Sequence, residues 1–118
     1  MDESGPIFHL TTTREWAVAQ AAGSYGRSTR GRSLAEVGFI HCSFAHQVER
    51  VADFLYAGEV TVLLLVIDPA AVVAEIRVEN LDGGQELFPH VYGPLPAKAV
   101  VDTVTLHADA AGRFRFRV

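Results

Sequence analysis

The sequence is short of several residue types that announce a function. Its only cysteine, Cys42, cannot close an internal disulfide, and at 118 residues with 49% hydrophobic content the chain needs none to bury a core. Neither C-x-x-C nor H-x-x-x-H spacing occurs, so a zinc site has no local scaffold and none is expected. Basic residues are outnumbered, ten Lys and Arg against fourteen Asp and Glu, and the formal charge of −4 excludes general binding to phosphate backbones. The longest apolar run, "VTVLLLVI" at Val60 to Ile67, falls far short of the roughly 20 residues that span a bilayer. The opening "MDESGPIFHL" carries acid where a signal peptide carries positive charge. A single domain over 1–118, cytoplasmic and away from membranes, is the expectation.

What is present is a succession of short elements. "IFHLT" alternates as a first strand with His9 and Thr11 on one side. Thr12 and Glu15 have capping-box spacing and open a helix that runs to Gly23, with Trp16 and Ala19 facing inward. "SYGRSTRGR" has no apolar periodicity and reads as a loop, either a solvated surface or an anion-binding rim with Tyr25 as a stacking residue. Ser33 and Glu36 repeat the capping spacing before Gly38, and "FIHC" follows as a second strand.

From Ser43, Phe44, Val48, Val51, Ala52 and Leu55 recur at helical spacing, which makes Ser43 the expected N-cap and Gly58 the stop. "VTVLLLVID" reads as a strand covered on both faces, central in the sheet. "AEIRVEN" predicts a strand with Glu75, Arg77 and Glu79 on one face, and "LDGGQ" a turn. The three prolines of "ELFPHVYGPLP" argue for an extended segment wrapped on the body rather than a central strand. "AVVDTVTLHAD" and "RFRFRV" predict a closing pair of strands, the second either an edge for a partner chain or a strand with its arginines in water. Short strands with two main helices, out of strict alternation, define an α+β protein.

The groups able to do chemistry gather in a few places: His9, the corner "HCS" at 41 to 43, Glu79, and "FPHVY" with His90 and Tyr92. Along a strand His41 and Ser43 share a side and Cys42 takes the other, so His41 does not serve Cys42 as a base. Ser43 lacks the G-x-S-x-G elbow of a serine nucleophile; its neighbours are "HCSFA". A helix starting at Ser43 would expose amide groups and a partial positive charge to an anion. His41 and His90 would supply donors beside it, and Phe88 or Tyr92 a flat surface. That combination describes a pocket for a small molecule or nucleotide.

"IFHLT" with Trp16, "SLAEVGFIHCS" with Gln47, "VADFLYAG", "VLLLVID", "EIRVEN" and "FPHVYGPL" follow one another in the order and spacing of a bacterial family known as domain of unknown function 952, which the chain resembles from about residue 7 to 101. The resemblance implies a small split, strongly bent mixed β-sheet with two main helices, a minimal ADP-ribosyltransferase-like fold. In that fold class NAD lies in a cleft, with a first-strand histidine on the ribose, an aromatic or histidine near the nicotinamide, and often a later acid. Here the resemblance puts His9 in the first role, His41 in part of the second, and Glu79 or Glu86 in the third. "FIHC" is also similar to a segment of the RNA 2′-phosphotransferases, which share the fold.

Two readings stay open. One is an NAD-related nucleotide cleft, ADP-ribosyltransferase-like or phosphotransferase-like, with His41 and His90 as catalytic candidates and His9, Ser43, Glu79, Phe88 and Tyr92 as ligand-binding residues. The other is a non-catalytic binding or interaction module on the same fold. Hydrolysis through Ser43 or Cys42 is a third, weaker alternative.

Overall fold

Local signals set the helix ends. The Thr12 hydroxyl accepts from the Glu15 amide, which opens α1 (Thr13–Ala22), and Gly23 ends it in the left-handed region. Ser33 and Glu36 complete both halves of a capping box around α2 (Leu34–Val37). Gly38, at φ 99, turns the chain from that helix into the next strand, a backbone conformation that costs glycine nothing. The computed structural model describes residues 5–117.

Strand β1 (Ile7–Thr11) pairs with β6 (Thr61–Ile67), which pairs in turn with β10 (Val100–His107), all antiparallel. Because β6 is central it is buried on both faces, as its unbroken apolar run requires. Leu63, Leu65 and Ile67 join Ile7, Trp16 and Ala19 in one core; Val62 and Leu64 join Phe8, Leu10, Val48 and Ala52 in the other. Val48 and Ala52 come from α3 (Val48–Leu55), which covers that second face.

A second three-stranded sheet has the order β5 (Ile40–His41), β8 (Phe88–Val91), β7 (Ile76–Glu79). The segment 40–43 connects the two sheets. Its Cys42 amide donates to Pro89 of β8 at 3.0 Å, while one residue later Ser43 exchanges both backbone hydrogen bonds with Phe8 of β1, at 2.7 and 2.9 Å. Two-stranded pieces, β2 (Ser24–Tyr25) with β9 (Leu95–Pro96) and β3 (Arg27–Thr29) with β4 (Arg32–Ser33), complete the α+β architecture.

Several expectations are overturned. Every pairing among the described strands is antiparallel, so the sheet is not mixed. The stretch 24–32, expected as a loop, instead enters three short strands, and Tyr25, the stacking residue of its anion-rim reading, is 1% exposed. Two of its arginines are engaged, Arg27 with Glu15 at 2.8 Å and Arg30 with Glu59 at 3.0 Å and the Leu55 carbonyl.

Ser43 is not an N-cap. Its backbone is committed to β1, and the helical turn begins at Ala45 after Phe44, whose amide is satisfied by Gln47. At its other end the helix stops at Leu55, not at Gly58, which serves the following turn with φ 88.

The proline-rich segment supplies a central strand after all. By register Pro89 stands beyond His90 opposite the end of β5, so the one bond its missing N–H forgoes falls at the end of a two-residue ladder. "RFRFRV" makes a single bridge, Ala108 to Phe114, and then leaves the sheet because α3 captures it: Asp53 accepts from the Phe114 amide and Glu49 from that of Phe116. Val118, the last residue of that expected strand, and residues 1–4 lie outside the described residues. No described helix is long and apolar enough to cross a membrane.

Candidate functional site

The second sheet has one core face and one working face, set by the strand period of two. Ile40, Cys42, Ile76 and Val91 pack inward against the first core. His41 and His90 stand directly opposite each other in the β5–β8 register, so their side chains emerge together on the other face. Their rings meet edge to face with centroids 5.3 Å apart, and Phe39 packs on both, stacked on His90 at 4.2 Å and edge to face with His41 at 4.7 Å.

These rings form part of the wall of a cavity of about 760 Å³. Helix α3 contributes Arg50, Val51 and Phe54 to the lining, and the β7–β8 connection contributes Asn80, Asp82 and Glu86. Phe54, one of the lining residues, is 82% exposed, an apolar aromatic left open to solvent.

Polar groups in and behind the cavity wall are ordered by hydrogen bonds. His90 holds Glu79 through Nδ1 at 2.9 Å, and the Tyr92 hydroxyl donates to the same carboxylate oxygen. A carboxylate only accepts, so Nδ1 carries the proton, and Nε2 of this ring, which is 3% exposed, makes no hydrogen bond among the described residues. The hydrogen bond from Tyr92 and then that from His90 keep the Glu79 carboxyl below the usual carboxylate range, and the same contact raises the Tyr92 hydroxyl. Burial, then the neighbouring His90, lowers the pKa of His41. His41 is thus a neutral imidazole near pH 7, able to accept a proton.

The sequence candidates distribute as follows. His9, His41, Ser43, Glu79, Phe88 and His90 all reach this cavity. His9 is 3% exposed and both ring nitrogens are occupied: Nδ1 donates to the His41 carbonyl, and Nε2 lies 2.7 Å from the Tyr25 hydroxyl, with Thr11 Oγ1 2.9 Å beyond it. A histidine so engaged offers no nitrogen to a ribose. Its burial, the largest influence, lowers its pKa to about 4.

Tyr92 does not line the cavity; Arg77 covers its ring at 4.2 Å, so the flat surface expected of it is taken. Ser43 is 6% exposed with its backbone in the sheet bridge, and the helical turn starts two residues later at Ala45 rather than at Ser43. Glu86 is ion-paired to Arg50 and accepts from Gln47, and those contacts lower its carboxyl pKa. Cys42, on the core face, has a thiol raised by burial alone.

Phe39, Arg50, Phe54, Asn80 and Asp82 were not foreseen. Phe39 had a usable signal, since it shares strand parity with His41 two residues on. Arg50 and Phe54 lie four apart on the outward side of α3, a spacing that says solvent as readily as site. Asn80 and Asp82 belong to a turn whose position over the cavity only the fold decides. Among the described residues, no three His, Cys, Asp or Glu side chains are grouped to hold a metal ion.

Fold and site together define a small α+β protein with a histidine-lined cleft between a three-stranded sheet and a helix. The chain belongs to the family described as "Protein of unknown function (DUF952)", whose model matches residues 10–103. The X-ray structure of protein CC0527 from Caulobacter crescentus is similar with a TM-score of 0.79 at 28% identity over 93% of each chain. The solution NMR structure of CC0527 gives 0.71 at 29% identity over 92% of this chain and 90% of that one. No curated protein matches the chain.

Proposed function

We propose that the cavity is a binding cleft for a nucleotide related to NAD, in which His41 and His90 act as a proton-transferring pair on an ADP-ribosyltransferase-like or phosphotransferase-like fold. The observation that carries this reading is the convergence of the two histidines from separate strands, with Glu79 fixing the tautomer of one. A neutral His41 beside a His90 oriented by a carboxylate suits general acid–base work, because one imidazole offers an acceptor nitrogen next to a ring whose tautomer is fixed. The cleft volume of about 760 Å³ falls in the range of small-molecule sites. Phe54 and Phe88 supply aromatic surface for a base.

One observation favours the non-catalytic alternative. Both acids suggested for the third role are already committed, Glu79 to His90 and Tyr92, Glu86 to Arg50 and Gln47. Nicotinamide release from NAD separates the two: turnover that His41→Ala and His90→Ala abolish supports catalysis, and affinity without turnover supports the module.

The reading itself is tested by thermal shift with NAD and ADP-ribose at millimolar concentration. A ligand at a hundred times its Kd stabilises the native state by about 2.7 kcal/mol, a shift of several degrees for a chain of this size. Absence of any shift would remove the nucleotide reading.

A further inference from the structure

We propose that Arg50 is the receptor for an anionic group of the ligand, and that the Glu86 carboxylate occupies that position until the ligand displaces it. The inference rests on the nucleotide reading only in taking the anion to be a phosphate. Arg50 is the one lysine or arginine lining the cavity among the described residues, whereas three carboxylates, Glu79, Asp82 and Glu86, line it too. Among the described residues an anion entering this cleft meets no other permanent cation.

The position is a built one. Gln47, 1% exposed, is fixed by accepting from the Phe44 amide at 2.9 Å and donating to the Leu87 carbonyl at 2.9 Å. From there its Nε2 also donates to Glu86 Oε2 at 2.9 Å, the same oxygen that Arg50 holds. A buried amide and a guanidinium therefore converge on one negatively charged oxygen.

The occupant is replaceable. The Arg50 side chain is 62% exposed and that of Glu86 38%, so their ion pair is weakened by water. A phosphate brings more charge and more acceptor oxygens to a guanidinium than one carboxylate does. Glu86 also closes the connection 80–86, where the Asn80 amide donates to the Glu86 carbonyl at 2.6 Å. Displacing its side chain leaves that backbone tie in place.

The two partners give opposite signs, which separates this role from a structural one. Binding of ADP-ribose and of inorganic pyrophosphate is measured by calorimetry on the full chain. Glu86→Gln, which removes the competing charge and keeps the side chain's size, is expected to tighten both by about two- to fivefold. Arg50→Ala is expected to weaken both by about tenfold or more, with Arg50→Lys between. Asp102→Asn, which removes an exposed charge outside the cavity, controls for the general field and should change little.

If Glu86→Gln weakens binding as Arg50→Ala does, the pair is a structural latch and the proposal fails. Wild-type affinity for ADP-ribose in Arg50→Ala, together with its loss in His41→Ala, overturns the proposal while leaving the nucleotide cleft intact. Pyrophosphate binding that follows the expected signs without any nucleotide binding supports the anion site and removes the nucleotide reading. No binding of either probe to wild type or Glu86→Gln overturns both.

Discussion

His41 and His90 face each other across the β5–β8 ladder with ring centroids 5.3 Å apart, and the Glu79 carboxylate holds the second at Nδ1. The carboxylate imposes the tautomer, so its removal must release it. In wild-type protein the nitrogen NMR spectrum of His90 is expected to show the Nδ1–H form. Glu79→Ala should move it toward Nε2–H, whereas Tyr92→Phe, which leaves the carboxylate in place, should not. An unchanged tautomer in Glu79→Ala would sink this assignment.

His9 makes stability depend on pH in a defined window. It titrates at about 4 in the folded chain, against about 6.5 when unfolded. Between those values the unfolded chain binds a proton that the folded chain refuses. Stability from this group is complete above pH about 6.5 and falls as the pH drops toward 4, by about 3 kcal/mol. The lowered pKa of His41 acts in the same direction. The depressed carboxyls of Glu79 and Glu86 act lower, their contribution being lost as pH falls below the usual glutamate range of about 4.3. Urea unfolding of His9→Gln between pH 7 and 4.5 should show a shallower pH slope than wild type. Parallel slopes would refute the assignment.

Cys42 is 3% exposed on the core face, and burial raises its thiol above the ordinary value. Iodoacetamide at pH 8 is expected to leave the folded chain unmodified and to react fully once urea unfolds it. Rapid labelling of native protein would reopen the case for a thiol nucleophile.

The C-terminal segment is held by carboxylates of α3, Asp53 on the Phe114 amide at 2.8 Å and Glu49 on the Phe116 amide at 2.7 Å. Phe114 is 1% exposed, so losing its acceptor strands a buried donor. Asp53→Ala is expected to cost about 1–3 kcal/mol in urea unfolding and to expose the Phe114 amide to hydrogen exchange. The exposed Asp102→Ala should cost far less.

The sequence by itself determined what depends on neighbours along the chain. Thr12, Ser33 and the glycines at 23 and 38 set helix ends through contacts three or four residues away, and the run Val60 to Ile67 declared a strand covered on both sides. Parity alone put Cys42 on the opposite face from His41. What the sequence could not decide is which distant backbone groups pair. Ser43 looked like a cap, but Phe8, 35 positions earlier, claims its backbone; Pro89 looked barred from a sheet centre, but a short partner strand puts its missing bond at the ladder's end.

The same reason governs the cleft. His41 and His90 meet because β8 pairs with β5, and His9 is spent because Tyr25 and the His41 carbonyl close on its two nitrogens. Chemistry is carried by residue type, which the sequence states. Availability is set by long-range hydrogen bonding and burial, which only the tertiary structure fixes.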